Sequence, residues 1–240
     1  MIVSREHRYV FVEVPRTGSS SISQELRELY GGVRVLTKHA TYPEFARQAS
    51  ADERRYFVFA GVRNPLDDMV SQYFKLKTHH RKVSGRKKRL HGRRLYAWLD
   101  ERMSRYLERT NADFSTWFLR YKVLPYDSIA SVSRKRFDYV IRFEELAADF
   151  AHALERIGLE ARRSLPSHNP TSMRERDFAS YYTPAAIQRA RRVLGPHMEQ
   201  WGYSFPGEWN LQPPSTLHRA EYLALGILRR AYWRTSAFGL

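Results

Sequence analysis

Tyr9-Val10-Phe11-Val12-Glu13-Val14-Pro15-Arg16-Thr17-Gly18-Ser19-Ser20-Ser21-Ile22 opens on an apolar, β-branched and aromatic run that breaks at Pro15. From Ser20 the segment SSISQELRELY has helical spacing and stops at Gly31-Gly32. The reading is a strand, a small-residue turn and a helix. The same order recurs at Tyr56-Phe57-Val58-Phe59-Ala60-Gly61-Val62, which leads through Asn64-Pro65 into Met69, Val70, Tyr73 and Phe74 at helical spacing. It recurs again where Asp138-Tyr139-Val140-Ile141-Arg142-Phe143 runs into Leu146, Phe150, Ala153 and Ile157 on one stripe. Strands alternating with helices predict an α/β domain with a parallel sheet.

Outward from this frame, Leu95 to Arg109 reads as a helix, and Pro184 to Trp201 as another, with Thr183 as cap and Pro184 at its first position. Both are expected as cover for the sheet. Phe205-Pro206-Gly207 and Gln212-Pro213-Pro214 are the first linker-like stretches, so the main domain is placed at residues 1–206 and a helical extension at 207–240. The chain has 240 residues and a net charge of +16, with 41 Lys+Arg against 25 Asp+Glu, and 42% hydrophobic residues. That is enough apolar material for a core, which excludes global disorder, and the charge predicts an anionic partner. The absence of cysteine excludes disulfides, zinc–thiolate sites, iron–sulfur clusters and a cysteine nucleophile. Glu6 and the early strand leave no room for a signal peptide, and no apolar run approaches the roughly 20 residues of a membrane span. A soluble, cytoplasmic protein is expected.

Two anion sockets stand out. In Pro15 to Ile22, Gly18 permits a tight turn, and backbone amides, hydroxyls and a helix N-terminus can meet a phosphate or sulfate, with Arg16 as a charged finger. The helix end contributes about 0.3–1 kcal/mol. A plain Ser-rich helix cap is the competing reading. The loop is not a Walker A, since it lacks the second glycine and the lysine before Ser or Thr. In the second socket, Arg63 at a strand end and Ser71 about two turns into the next helix could reach one phosphate from two sides; taken alone, Arg63 could equally be a surface salt bridge.

PRTGSSSI resembles the 5′-phosphosulfate loop, and FAGVRNPLDDMVSQYF the 3′-phosphate motif, of sulfotransferases that use 3′-phosphoadenosine 5′-phosphosulfate (PAPS), especially the carbohydrate-type, sulfotransferase family 2-like branch. DYVIRFEEL resembles that family's late strand and HNPTS its nucleotide loop, while Tyr181-Tyr182-Thr183-Pro184 through Phe205 resembles its closing helix. The resemblance covers roughly residues 8–206. It implies a three-layer α/β sandwich with a central parallel sheet, like that of P-loop kinases, with PAPS as donor, PAP as product and no metal. It assigns Arg16, Thr17, Gly18, Ser19, Ser20 and Ser21 to the phosphosulfate and Arg63 and Ser71 to the 3′-phosphate. One departure is that Arg16 stands where the family usually has Lys; Arg can stabilise charge there but cannot give up a proton.

Lys38-His39-Ala40-Thr41 supplies the candidate base, because transfer to a hydroxyl needs a proton acceptor near pH 7. Similar Lys-His segments in bacterial relatives make His39 the expected base and Lys38 an acceptor contact, with Glu44 next in line. The alternative is that His39 caps a helix or packs beside Tyr42. His79, His80, His91, His152, His168 and His197 are weaker candidates. Lys75 to Arg94 holds ten Lys/Arg and no Asp or Glu. It reads as a solvated loop, as an electrostatic track for a polyanionic acceptor through Lys87, Lys88 and Arg89, or as a nucleic-acid contact, which its lack of aromatic residues disfavours. Thr216 to Trp233 is one more helix, with Ala220, Leu223, Ala224, Ile227, Leu228 and Ala231 on one stripe. That stripe could pack on the domain, pair with a second subunit or lie on an anionic membrane carrying lipid-linked acceptors. The expected activity is sulfuryl transfer from PAPS to a carbohydrate hydroxyl, on an acceptor that is acidic or lipid-linked. An ATP-dependent kinase and a non-catalytic polyanion- or nucleic-acid-binding protein are the alternatives.

Overall fold

The computed structural model describes residues 1–78, 94–166 and 177–235. In chain order the elements begin β1 (Ile2–Ser4), β2 (Tyr9–Val12), α1 (Ser19–Leu29), β3 (Val33–Arg34), α2 (Tyr42–Gln48), β4 (Phe57–Val62) and α3 (Pro65–Lys77). They continue with α4 (Arg94–Thr110), α5 (Phe114–Tyr121), α6 (Ala130–Ser133), β5 (Tyr139–Arg142), α7 (Leu146–Glu155), α8 (Pro184–Val193), α9 (Gly195–Gln200) and α10 (Thr216–Thr235). The chain divides into two compact units, Met1–Asn64 with Ser128–Pro170, and Pro65–Asp127 with Thr171–Leu240.

The first unit holds a five-stranded sheet in the order β3-β1-β2-β4-β5. β2, β4 and β5 are mutually parallel, with Phe11 opposite Phe59 and Phe59 opposite Tyr139. These are the three strands that the sequence predicts. The sheet is not parallel throughout, however: β1 runs antiparallel to β2 and to β3. Strands of three and two residues are too short to show alternation, which hides this edge from sequence reading. Successive residues of a strand point to opposite faces. Tyr9, Phe11, Phe59 and Ile141 therefore share one face, where they are buried with Ile22 and Leu26 of α1 and Phe150, Ala153 and Leu154 of α7. Each Leu, Ile or Phe side chain among them contributes about 1.5–3 kcal/mol. The Tyr9 hydroxyl donates to the Tyr30 carbonyl at 2.8 Å, tying β2 to the end of α1. α6 packs against β4, and its Ser133 hydroxyl accepts from the Tyr42 amide of α2 at 2.9 Å.

The second unit is helical. α4 and α8 bury Met103, Leu107, Ala186 and Ala190 in a cluster with Leu66 and Val70 of α3 and Trp117 and Phe118 of α5. The partners that these two helices bury against in that cluster are helices, not the strands expected from sequence. The stretch from Pro184 to Trp201 forms two helices rather than one. Pro196 lacks the amide that a continuous helix would need, and the chain restarts at Gly195.

The expected stripe on α10 faces solvent: Leu223, Ile227 and Leu228 are 59–65% exposed, whereas Tyr222 is buried. Polar groups hold the other side. Arg192 makes a two-pronged contact with Glu221 at 3.0 and 2.8 Å, Arg219 pairs with Glu199, and the Tyr222 hydroxyl donates to Gln200. These contacts and the buried Tyr222 set the helix with its apolar stripe outward, so the stripe does not pack on the second unit. Among the described residues no helix is long and apolar enough to cross a membrane.

Candidate functional site

The candidate site gathers at the carboxyl ends of β2, β4 and β5, the edge at which parallel sheets bind ligands. Beyond β2 the chain turns through two residues of positive φ, Arg16 at 65° and Gly18 at 71°. Such turns fold backbone amides into a concavity suited to anions. Gly18 is the N-cap of α1 without any side-chain capping bond, and its carbonyl accepts from the Ser21 and Ile22 amides at 3.0 and 3.3 Å. The amides before Ser21 have no acceptor within the helix, and no acidic residue lies in the first turn to repel an anion.

Two glycines hold this loop in place. A Cβ on Gly18 would sit 2.5 Å from Leu146 Cδ2, and one on Gly61 would sit 2.6 Å from Thr17 Oγ1 and 3.0 Å from the Thr17 carbonyl. The loop therefore lies directly on β4, with Leu146 against it. Thr17, Ser19 and Ser21 are buried, and Thr17 donates to the Val14 carbonyl at 3.0 Å. Only Ser20 reaches the surface of the loop, where its hydroxyl accepts from Lys38 Nζ at 2.8 Å. The Ser20 hydroxyl thus carries a cation, Lys38, to the loop.

The Lys38–Ser20 bond brings the Lys38-His39 segment to this loop. His39 adopts a φ of 68° and its Nδ1 meets the Glu13 carbonyl at 2.7 Å. A carbonyl only accepts, so Nδ1 carries the proton, and the neutral ring has its lone pair on Nε2. Glu13 is fully buried and anchors the arrangement. Burial alone would raise its carboxyl, but the Met1 ammonium at 2.6 Å and the Arg34 guanidinium at 2.7 Å outweigh that and hold it below its ordinary value. Glu44, the second candidate for the base, is engaged instead in capping α2: its carboxylate accepts from the Thr41 amide and hydroxyl at 2.5 and 2.8 Å.

Arg63 follows β4. Its guanidinium lies over the Phe143 ring at 4.1 Å and donates to the Arg16 carbonyl at 3.1 Å. The next amide, of Asn64, donates to Glu144 at 2.7 Å. The segment after β5 thus supplies Phe143 under Arg63, Glu144 to Asn64 and Leu146 to Gly18. The motifs FAGVRNPLDDMVSQYF and DYVIRFEEL contain Gly61, Phe143, Glu144 and Leu146, but the sequence assigns none of these, nor Glu13, a site role. Ser71 is fully buried within α3 of the second unit. Lys87, Lys88, Arg89, most of the basic run and the HNPTS segment lie outside the described residues, as do His79, His80, His91 and His168. His197 is buried between Tyr126 and Trp201 and serves the packing of the second unit. Among the described residues no cluster of metal-ligating side chains occurs.

Residues 1–199 match the family model described as the Sulfotransferase family. No curated protein and no solved structure matches the chain.

Proposed function

The chain belongs to the sulfotransferase family, and on that premise we propose that it transfers a sulfuryl group from PAPS to a hydroxyl of a carbohydrate. The observation that supports this most is the joining of Arg16, Ser20, Lys38, His39 and Arg63 around one amide-lined turn by the bonds Lys38–Ser20, His39–Glu13 and Arg63–Arg16. A turn held flat by Gly18 and Gly61 fits a sulfate ester of a phosphate, because backbone can approach the anion closely where no Cβ intervenes. The donor supplies an activated sulfuryl group when bound.

The protein's own part is positioning and charge. The first amides of α1 and Arg16 hold the anionic end of the donor and stabilise the charge that develops on the departing phosphate oxygen. Arg63, kept in one orientation by Phe143 and the Arg16 carbonyl, takes the 3′-phosphate. His39 Nε2 accepts the proton of the acceptor hydroxyl as that oxygen forms its bond to sulfur and the bond from sulfur to the phosphate oxygen breaks. A kinase reading is disfavoured because the turn lacks the Walker A lysine. The net charge of +16, Lys38 beside the loop and the run from Lys75 to Arg94 favour an acidic or already sulfated glycan as acceptor.

The test is incubation with PAPS and a panel of acidic and neutral oligosaccharides, read by mass spectrometry for a sulfated product. Sulfation of an acidic oligosaccharide is the expected result; absence of product across the panel, with phosphorylation from ATP instead, would reverse the assignment. In the same assay set, Arg63→Ala should weaken PAP by about 1.5–3 kcal/mol, the range for a hydrogen bond to a charged group. Calorimetry on the folded variant checks it, and unchanged affinity would remove Arg63 from the donor site.

A further inference from the structure

The second unit carries a cavity of about 630 Å³ along the outer side of α4 and the end of α5. Its walls include Trp98, Arg102, Tyr106 and Arg109 of α4 with Arg120 and Tyr121 of α5. Positions 98, 102, 106 and 109 fall on one stripe of α4, beside the face that buries Met103 and Leu107. Three guanidinium–ring contacts build the walls. Arg102 lies over Trp98 at 5.5 Å, and Arg120 lies over Tyr106 at 4.8 Å and Tyr121 at 5.8 Å. Tyr106 and Tyr121 meet edge to face at 5.5 Å.

Charge is left over in this cavity. Arg105 is neutralised by Glu101, but among the described residues no carboxylate pairs with Arg102, Arg109 or Arg120. Stacking a guanidinium on an aromatic face uses the faces of both groups and leaves the N–H edge of the arginine pointing outward as a rigid fork, the geometry that binds carboxylate, sulfate or phosphate with two parallel hydrogen bonds. Rings whose faces are already covered by arginine are poorly placed to stack nucleobases, so the cavity suits a ligand read through its anionic groups. Its volume is in the range of ordinary ligand sites.

We propose that this cavity is a binding site for a short, anionic oligosaccharide segment, whose sulfate or carboxylate groups are held by Arg102, Arg109 and Arg120. The inference rests on the reading of the acceptor as an acidic glycan. It adds a site that grips the chain of that acceptor independently of the group that receives sulfate.

Binding without turnover tests it. Wild-type protein is titrated with a sulfated hexasaccharide, its chemically desulfated counterpart and a single-stranded oligonucleotide of equal charge. The sulfated sugar should bind, the desulfated sugar should bind at least about tenfold more weakly, and the oligonucleotide should not compete at equal concentration. Arg102→Ala with Arg120→Ala should cost about tenfold or more in affinity for the sulfated sugar while leaving PAP affinity unchanged, which also shows that the variant is folded. Arg120→Lys, which keeps the charge and loses the stacked fork, should recover little of that loss. Equal binding by the double variant, full rescue by lysine, or tighter binding of the oligonucleotide would each overturn the site. Binding by this cavity in a protein that transfers no sulfate from PAPS would leave the site standing and defeat the reading of the activity. Sulfation of an acidic glycan with the double variant's binding intact would do the opposite.

Discussion

Replacing His39 by Ala is expected to lower turnover by at least about 10²-fold, within the range that a positioned general base contributes, while PAP affinity stays near that of the wild type. The expectation follows from one bond. With Nδ1 donating to the Glu13 carbonyl, the basic lone pair sits on Nε2, and β2 and the turn after it hold the ring through a fully buried residue. Glu44 is committed to capping α2, its Oε2 accepting from the Thr41 amide and hydroxyl. Steady-state kinetics beside PAP calorimetry give the split: a fall in kcat with unchanged PAP binding supports the base, and near-normal turnover in a folded His39→Ala protein removes it from the mechanism.

Arg16→Ala should cost on the order of 10²–10³-fold in kcat, the size of effect seen when one donor to a developing oxyanion is lost. The backbone offers an unusual control. Arg16 holds a φ of 65°, a region costing about 1–3 kcal/mol for a residue with a side chain. Arg16→Gly relieves that strain while removing the charge, so it should be at least as stable as the wild type and as inactive as Arg16→Ala. Arg16→Lys, which restores the cation usual at this position in the resembled family, should keep most of the turnover. Thermal melts beside kinetics read both arms. If Arg16→Gly retained turnover, the loop would work through its amides alone.

Much of this site is legible in the sequence because it is local. The turn from Pro15 to Ser21 follows a strand of four apolar residues and precedes a helix with clear spacing, and each of those signals is strong by itself. The parallel trio β2, β4 and β5 is legible for the same reason. What escapes is decided by contacts between distant segments. Gly61 matters because Thr17 lies on it, and Leu146 because Gly18 leaves it room; no spacing rule links positions 44 or 128 residues apart. Burial of Thr17, with its hydroxyl donating to the Val14 carbonyl, is likewise invisible to composition. On α10 the apolar spacing is real but faces solvent, because ion pairs to Glu199 and Arg192 set the helix's rotation. The antiparallel edge formed by β1 and β3 is too short to leave any pattern.

The most direct measurement of the donor assignment is a thermal shift of the wild-type protein with PAP and with ATP at matched concentrations. PAP carries the 3′-phosphate assigned to Arg63, and ATP lacks it. At 100 times its dissociation constant a ligand that binds only the folded state adds about 2.7 kcal/mol of stability. PAP should produce a clear rise in Tm, ATP a much smaller one, and Arg63→Ala should erase most of the difference. A shift with ATP as large as that with PAP, or no shift with PAP at saturating concentration, would contradict the account.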